Sequence, residues 1–364
     1  GVILSTLHDA AEAHGLIFPL TLGARGSAMI GGLLSTNAGG SNVVRYGSTR
    51  GLCLGLEVVM ADGRIMNLMS ALHKDNSGLD LRNLVIGAEG TLGIITAAVL
   101  KLRPKPQAYA TAMVAVPSLG DALTLLHRLQ DETGGGVEAF EYMPRCYIDK
   151  HRKLFKDAQP PFDADYDVNI MIEVAATLAR DAVPEPDGSL PVVSALEQTL
   201  GQMLEEGTVL DAVIAQNETQ RRAIWKRRED AGEVAFFGGV FVNTDVALPL
   251  DKIAAFEAAL TPRIKAIDPD ASEVIVAHLG DGNIHHTSYI SRNDPAVMDA
   301  LVEAVEDVVQ ELGGSFSAEH GIGVSKLETM KRRKDPVALD AMRAIKHALD
   351  PNNILNPGKV IPAR

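Results

Sequence analysis

The chain has 364 residues, of which 46% are hydrophobic and 22% charged, so it is long enough for two globular domains. Its formal net charge of −13 argues against a nucleic-acid partner, because phosphates attract a basic surface. Its two cysteines allow no disulfide framework beyond one bridge and favour a cytoplasmic location, and no apolar run reaches the roughly 20 residues of a membrane span.

The first predicted element is a helix over residues 5–14, in which Leu7, Ala10 and Ala11 recur at helical spacing. No predicted strand precedes this helix. We therefore expect that the first domain has a further N-terminal part upstream of Gly1.

Residues 20–51 are rich in glycine, which can adopt positive φ and lets the backbone approach a ligand closely. Successive N–H groups in such a stretch can bind a phosphate, but neither a Rossmann motif nor a P-loop is present. The stretch therefore predicts either another kind of phosphate cradle or a set of tight turns in a β-rich domain. The residues concerned are Gly23, Gly26, Gly31, Gly32, Gly39 and Gly40, with Ser27, Ser35, Thr36 and Asn37 as side-chain donors.

Residues 56–69 predict a β-hairpin, because an Asp62-Gly63 step separates two apolar runs. A second glycine-punctuated segment follows at 84–96, with Glu89 in its middle, and residues 94–102 predict a strand. The prolines at 104 and 106 then mark the domain boundary.

The remaining chain alternates between strand and helix patterns, which predicts an antiparallel sheet covered by helices on one side. The predicted strands are 108–116, 137–142, 168–175, 209–215 and 246–248, and the predicted helices are 118–131, 193–204, 218–234, 251–266, 295–312 and 326–349.

Residues 274–290 predict a hairpin that brings His278 and His285 together on either side of an Asp-Gly turn. With Glu319 as a third ligand, two imidazoles and one carboxylate form a metal site with open positions for substrate. His320 follows Glu319 directly. The alternative is that these histidines are buried and satisfy hydrogen bonds in a core.

The predicted helix 218–234 carries a cluster of basic side chains. They form either a solvated face or, in a protein that is acidic overall, a site for a carboxylate, which arginine binds through two parallel N–H bonds. The residues are Arg221, Arg222, Lys226, Arg227 and Arg228.

Seven motifs, in their order and spacing, resemble the vanillyl-alcohol-oxidase-type flavoproteins, and more narrowly the branch of D-lactate and D-2-hydroxyglutarate dehydrogenases. They are Ser-Thr-Asn-Ala-Gly-Gly (35–40), Arg-Tyr-Gly (45–47), Gly-Leu-Glu-Val-Val-Met-Ala-Asp-Gly (55–63), Ile-Gly-Ala-Glu-Gly-Thr-Leu-Gly-Ile-Ile-Thr (86–96), His-Leu-Gly-Asp-Gly-Asn-Ile-His (278–285), Ala-Glu-His-Gly-Ile-Gly (318–323) and Leu-Asn-Pro-Gly-Lys (355–359).

This resemblance implies an α+β protein with an FAD-binding domain whose N-terminal half is missing, at 1–104. An antiparallel-sheet cap domain with covering helices follows at 105–330, and a C-terminal helix and tail at 331–364 return to the flavin. FAD is expected to bind non-covalently. The residues expected to contact it are Gly26, Ser27, Gly31, Gly32, Thr36, Asn37, Ala38, Gly39, Gly40, Gly47, Glu89, Gly90, Gly93, Ile94 and Asn356.

The resemblance also implies a reaction, the oxidation of a D-2-hydroxy acid to the 2-oxo acid with hydride transfer to the flavin. Arg228 is expected to hold the substrate carboxylate and His320 to act as base, while a divalent metal, zinc first, is bound by His278, His285 and Glu319. Asn243, Thr287 and His320 complete the expected substrate contacts. The hydroxyglutarate branch has a lysine where this chain has Asn243, which leaves the substrate side chain open.

Electrons are expected to pass to an external acceptor, namely an electron-transfer flavoprotein, a quinone or a cytochrome, and a homodimer is one assembly to consider. Three alternatives are open. The first alternative to a dehydrogenase is a flavin oxidase that acts on another alcohol. The second is a non-catalytic flavin-binding subunit of a larger oxidase, and the third is an α+β protein without a cofactor.

Overall fold

A computed structural model describes residues 1–363 of the chain. Two compact units are present. The first unit contains residues 1–42, 46–105 and the chain from 319 onward, and the second contains residues 43–45 and 106–318. The predicted domain bounds of 1–104, 105–330 and 331–364 stay predictions.

Residues 1–105 form short helices and strands. They are α1 (Leu4–Glu12), β1 (Leu16–Ile17), α2 (Ile30–Thr36), α3 (Val43–Tyr46), β2 (Cys53–Val59), β3 (Ile65–Leu68), α4 (Leu81–Val85), β4 (Ile94–Leu100) and β5 (Arg103–Pro104). An antiparallel sheet has the order β3-β2-β4, and β1 pairs with β5. The predicted hairpin at 56–69 is confirmed, since Val59 pairs with Ile65 and Gly63 in the turn has a φ of 84°.

Residues 106–318 alternate between strands and helices. They are β6 (Ala108–Val116), α5 (Leu119–Thr133), β7 (Val137–Pro144), α6 (Arg145–Leu154), β8 (Val168–Ala176), α7 (Pro191–Glu205), β9 (Asp211–Ile214), α8 (Glu218–Glu229), α9 (Ala231–Phe236), β10 (Val240–Ala247), α10 (Ile253–Ile267), β11 (Ser272–His278), β12 (Asn283–Ile290) and α11 (Pro295–Glu311), with 3₁₀ turns at Ala179–Asp181 and Leu250–Lys252. After residue 318 come α12 (Leu327–Arg333) and α13 (Pro336–Leu349).

The strands of the second unit form one antiparallel sheet in the order β10-β12-β11-β7-β8-β6-β9. Apolar residues of α5, α7, α10 and α11 pack on one face of this sheet. The expectation that helices cover one side alone was wrong, because α6, α8 and α9 pack on part of the other face. There, methionines and valines of the strands contact apolar residues such as Tyr147, Ile224 and Val234.

Three predicted elements differ from the structure by more than two residues at an end or by an interruption. The predicted helix 218–234 is divided at Asp230, whose buried carboxylate is bound by His151 and Lys226. The predicted helix 326–349 is divided before Pro336, which has no N–H and begins α13 directly after Asp335, whose side chain caps the helix. The predicted strand 246–248 extends back to Val240, because the whole segment pairs with β12.

In residues 1–363, no helix combines the length and the apolar character needed to span a bilayer.

Candidate active site

The hairpin of β11 and β12 depends on two glycines in its turn. A Cβ atom at Gly282 would lie 2.2 Å from the carbonyl oxygen of Leu248, and Gly282 has a φ of 83°, so a side chain is excluded here on both grounds. At Gly280, a Cβ atom would lie 2.7 Å from the Val44 side chain. The predicted hairpin is confirmed, and it brings His278 and His285 together.

The two histidine rings lie on one face of the sheet, with 5.4 Å between their centroids. Val276 pairs with His285, so His278, two residues further along β11, is the diagonal neighbour on the same face. On the other side of His285 lies Asp245 of β10, its direct cross-strand partner, with 3.7 Å between Oδ1 and Nδ1. Asp245 is buried, and the sequence did not identify it as a site residue.

A second cross-strand pair, His278 and Glu141 of β7, extends this polar row. Glu141 is fully buried, and one carboxylate oxygen lies 2.8 Å from Nδ1 of His278. The other oxygen accepts a hydrogen bond of 2.6 Å from Nε of Arg228. Burial alone would raise the pKa of Glu141, but its contacts with His278 and Arg228 lower the pKa below its usual range. Glu141 therefore fixes the position of both side chains as a carboxylate.

These donors fit a divalent metal by their chemistry. A histidine that ligates a metal through one ring nitrogen commonly bonds a carboxylate through the other, as His278 does with Glu141. His285 and Asp245 add an imidazole and a carboxylate beside it. The predicted pair His278 and His285 is thus brought together with a third group, the carboxylate of Asp245, within the second unit.

The predicted third ligand, Glu319, and the predicted base, His320, are the first residues of the last segment of the first unit. Their side chains approach to 3.9 Å of each other. Residue 319 is bonded to Ala318 of the second unit, and the Ala318 N–H donates to the Asp245 carbonyl oxygen at 3.3 Å. Their roles as ligand and base stay predictions.

The predicted substrate contacts Asn243 and Thr287 are neighbours. They are cross-strand partners, and the amide nitrogen of Asn243 donates to the Thr287 hydroxyl at 2.8 Å. Both lie on the face that carries Asp245 and His285, one step further along the strands.

The basic residues of α8 have separate partners and do not form one solvated face. Arg221 binds the buried Glu173 through Nε and Nη2, each at 2.7 Å, and Arg227 donates to the Gln159 carbonyl oxygen at 2.6 Å. Arg222 projects to solvent, with 76% of its side chain exposed. Arg228 is buried and lies in the row with Glu141, as described above.

The sequence also allowed that histidines of this hairpin are buried in a core and satisfy hydrogen bonds there instead of binding a metal. This description fits His286. This side chain points to the opposite face of the sheet, where Nε2 lies 2.9 Å from Glu273 and the ring packs edge-on against Phe256. His286 is 1% exposed and has no place in the polar row.

Most of the residues predicted to contact FAD lie in the first unit, in α2, in the loops beside it and in the turn before β4. The positions are Gly26 and Ser27 before α2, Gly31, Gly32 and Thr36 within it, Asn37, Ala38, Gly39 and Gly40 after it, Gly47 after α3, and Glu89, Gly90, Gly93 and Ile94 at the turn and start of β4.

Several of these glycines face space that the described chain does not fill. No heavy atom lies within 4 Å of a Cβ position built on Gly26, Gly32, Gly47 or Gly90. Gly47 and Gly90 also have positive φ, of 76° and 74°, which favours glycine. An open surface of backbone atoms suits a cofactor that approaches closely.

The hydroxyl groups predicted as donors are used within the unit. Ser27 donates to the Ala24 carbonyl oxygen, Ser35 to that of Gly31 and Thr36 to that of Gly32. Asn37 accepts hydrogen bonds at Oδ1 from Ser48 and from the Arg50 N–H, so a phosphate bound here would rely on backbone N–H groups and the Asn37 amide.

Glu89 connects three distant segments of the first unit. Its carboxylate accepts hydrogen bonds from the N–H groups of Ile322 at 2.7 Å and Gly323 at 2.9 Å. Its carbonyl oxygen accepts one of 2.6 Å from the side chain of Asn356, so the C-terminal tail does return to this turn. Glu89 has a φ of 50°, unusual for a residue with a side chain.

Two family models match the chain. The model described as FAD linked oxidases, C-terminal domain, matches residues 105–360, and the FAD binding domain model matches residues 1–69.

Curated relatives match over the full chain. The mitochondrial D-2-hydroxyglutarate dehydrogenase of Bos taurus is 37% identical over 100% of this chain and 64% of its own length. The D-2-hydroxyglutarate dehydrogenase of Stutzerimonas stutzeri is 33% identical, and the match covers 100% of this chain and 76% of that protein. The chain thus spans less than two thirds of the bovine relative.

Among solved structures, an alkyldihydroxyacetonephosphate synthase matches with a TM-score of 0.67 and 17% identity, over 98% of this chain and 63% of that one. At this identity the likeness describes the fold alone.

Proposed function

Because the chain belongs to the FAD-linked oxidase family, we propose that it is the catalytic part of an FAD-dependent dehydrogenase that oxidises a D-2-hydroxy acid to the 2-oxo acid. The family resemblance drawn from the motifs is thereby confirmed. The observation that carries the proposed activity is the polar row Asp245, His285, His278 and Glu141 with Arg228 beside it. Relatives named D-2-hydroxyglutarate dehydrogenase support the same class of substrate.

In this proposal Arg228 holds the substrate carboxylate. Its Nε donates to Glu141, and its Nη2 lies 3.3 Å from Nε2 of His278, so these two contacts fix the plane of the group. A guanidinium locked in this way orients the C2–H bond of the bound acid, and orientation accounts for a large part of catalysis.

His278, His285 and Asp245 would hold the divalent cation, with Glu319 as a further ligand. Zinc is the first cation to test, since imidazole and carboxylate are common zinc ligands. When bound, the cation supplies Lewis acidity to the substrate hydroxyl, and FAD supplies a hydride acceptor.

His320 would take the hydroxyl proton. Histidine is the side chain that most often serves as a general base in enzymes. The proton would thus pass to His320, and FAD, when bound, would supply the acceptor for the hydride of C2 and would be reoxidised by an external acceptor. Within the class of D-2-hydroxy acids, both D-lactate and D-2-hydroxyglutarate are substrates to test.

The test is an anaerobic titration of the FAD- and zinc-loaded protein with single enantiomers of lactate, malate and 2-hydroxyglutarate, followed by the visible flavin absorption. A D-acid should bleach the flavin, while its L-enantiomer should not. The R228K variant should lose at least about tenfold in kcat/KM, because lysine cannot make two parallel N–H bonds.

The matched control is R222K, a change on the same helix at a solvent-exposed side chain, which should leave kcat/KM unchanged. A flavin that no 2-hydroxy acid bleaches would overturn the proposal and favour a non-catalytic flavin-binding subunit or an oxidase of another alcohol.

A further inference from the structure

Glu89 lies in a turn where three of four successive residues have a left-handed backbone. Gly87, Glu89 and Gly90 have φ values of 83°, 50° and 74°. Glycine adopts this region readily, but a residue with a side chain does so at a cost in free energy that other contacts must offset. Among these three positions only Glu89 carries a side chain, so the contacts of that side chain are what offset the cost.

The Glu89 carboxylate binds two successive backbone N–H groups of the segment 319–323. Oε1 lies 2.7 Å from the Ile322 nitrogen and Oε2 lies 2.9 Å from the Gly323 nitrogen, so each oxygen accepts one hydrogen bond. Successive N–H groups that converge in this way form a concavity that binds anions. Here the anion is a side chain of the same unit, and it holds the backbone of this segment.

The segment 319–323 fits closely against this carboxylate. Gly321 has a φ of 74°, and a Cβ atom built on it would lie 2.6 Å from Oε1 of Glu89. A side chain at position 321 would therefore displace the carboxylate. The Gly323 carbonyl oxygen also accepts a hydrogen bond of 3.0 Å from the Val360 N–H. Both Glu89 and the C-terminal tail thus bind the end of the segment.

The backbone of Glu89 is itself fixed. Its N–H donates to the Ser35 carbonyl oxygen of α2 at 2.8 Å, and its carbonyl oxygen accepts the bond from the Asn356 side chain at 2.6 Å. The carboxylate therefore extends from a point that is bound to α2 and to the tail. It connects the segment 319–323 to the helix that carries several of the residues expected to contact FAD.

Two residues of the proposed reaction lie at the start of the segment that Glu89 binds. His320, the proposed base, precedes Ile322 by two residues, and Glu319, the proposed further ligand, precedes it by three. The His320 side chain is 57% exposed, so packing covers less than half of it. The position of the His320 ring therefore depends strongly on its backbone, which is held two residues later by Glu89.

We propose that Glu89 is a positioning residue, whose carboxylate holds the backbone of residues 319–323 so that Glu319 can ligate the cation and His320 can reach the substrate hydroxyl. This inference rests on the proposed dehydrogenase activity and adds to it a residue that acts through two others. The expected effect is large, because a displacement of about 1 Å at a reacting group can lower the rate about 100-fold.

The first experiment measures zinc affinity by competitive titration and needs no turnover. In E89Q an amide NH2 replaces one acceptor oxygen and faces a backbone N–H, to which it cannot bond. We expect the Kd for zinc to rise at least about tenfold, the lower end of the effect of outer partners at metal sites. If Glu89 acts through Glu319, then E89Q/E319Q should bind zinc no more weakly than E319Q alone.

The second experiment measures steady-state kinetics per bound flavin. We expect E89Q to lower kcat about 10–100-fold and to leave KM for the D-acid nearly unchanged, because Arg228 still holds the substrate carboxylate. The E89Q/H320N double variant should be no slower than H320N alone. A merely structural role of Glu89 would instead lower the flavin content or the stability and leave kcat per bound flavin unchanged.

Two further variants control these experiments. E328Q makes the same chemical change at an exposed acid of α12 and should leave both zinc affinity and kcat unchanged. E89G suits the left-handed backbone and removes the whole side chain, so it should fold and have at least the effect of E89Q. In both Glu89 variants, hydrogen exchange at the Ile322 and Gly323 amides should be faster than in the wild type.

Two results would overturn the inference. The first is an E89Q protein that equals E328Q in zinc affinity or in kcat per bound flavin. The second is a double variant whose loss is the sum of the two single losses, since Glu89 would then act independently of Glu319 and His320. If the zinc affinities follow the expected pattern but the wild type oxidises no 2-hydroxy acid, the proposed activity fails and the positioning of Glu319 stands.

Discussion

Asp245 lies directly opposite His285 across the ladder of β10 and β12, with 3.7 Å between Oδ1 and Nδ1. A buried carboxylate beside an imidazole is a suitable pair of ligands for a divalent cation. The relationship adds Asp245 to the proposed metal site, beside His278 and His285.

We expect D245A to weaken zinc binding by at least about 10–100-fold, the range found when even an outer-shell partner of a metal site is removed. Zinc content after dialysis, together with a competitive zinc titration, measures the effect. D299A, at an exposed acid on α11, is the control and should bind zinc as the wild type does. Equal zinc affinity in D245A and D299A would exclude Asp245 from the metal site.

Removal of the Glu141 charge should destabilise the second unit. In E141Q the buried Arg228 loses its charged partner, and an uncompensated buried charge costs about 3–5 kcal/mol. Urea unfolding measures the free energy difference. E311Q, which breaks the exposed Arg263–Glu311 pair, should change the midpoint little. An unfolding midpoint for E141Q equal to that of the wild type would contradict the assigned role of Glu141.

The glycine at position 32 should matter for FAD and not for folding. Gly32 lies in α2 with open space at its Cβ position, so G32A should fold and gain about 0.4–1 kcal/mol of stability. If the cofactor approaches this backbone, the added methyl group displaces it, and the flavin absorption that co-elutes with the protein in gel filtration should fall.

The control for G32A is G201A, a change in α7 with equally open space at its Cβ position. It should show the same gain in stability with full flavin retention. Equal flavin retention by the two variants would remove Gly32 from the cofactor site.

Glu257 of α10 should make stability fall as pH rises. Burial raises its pKa to about 7, and Oε1 has no hydrogen-bond partner within the described chain. Since the folded-state pKa exceeds the unfolded-state value, the folded form binds the proton more tightly. The stabilising contribution is therefore complete below the unfolded-state pKa of about 4.5 and is lost as pH rises through about 7.

E257Q, which has no charge to bury, should remove this pH dependence. By urea unfolding we expect E257Q to be more stable than the wild type at pH 8, by up to about 3 kcal/mol, and to differ little at about pH 4. If the free energy of unfolding has the same pH dependence in the wild type and in E257Q, then the folded state does not raise the pKa of Glu257.

Local chemistry made much of this site predictable. The Asp281-Gly282 turn follows from a dipeptide, and a two-residue periodicity puts His278 and His285 on one face once the turn is known. The strand of Asp245 offered a similar signal, because Asn243 and Asp245 alternate with more apolar neighbours. The predicted strand began too late, at 246, to use that signal.

The partners of Arg228 and His278 could not be predicted. Glu141 is 137 residues from His278 in the chain, and their contact depends on the order of strands in the sheet, which no local pattern determines. A carboxylate between Phe140 and Tyr142, in a strand that is apolar apart from this residue and Glu138, was nevertheless a visible sign of a buried acid with a partner.

The bonds from Glu89 to Ile322, Gly323 and Asn356 have a consequence for synthesis of the protein on the ribosome. The turn at Glu89 emerges early, but its partners emerge only after the whole second unit has been translated. At about 5–20 residues per second this delay is roughly ten seconds to a minute. The second unit, nearly continuous in sequence, can therefore fold first, while the nascent first unit waits with its apolar surface available to chaperones.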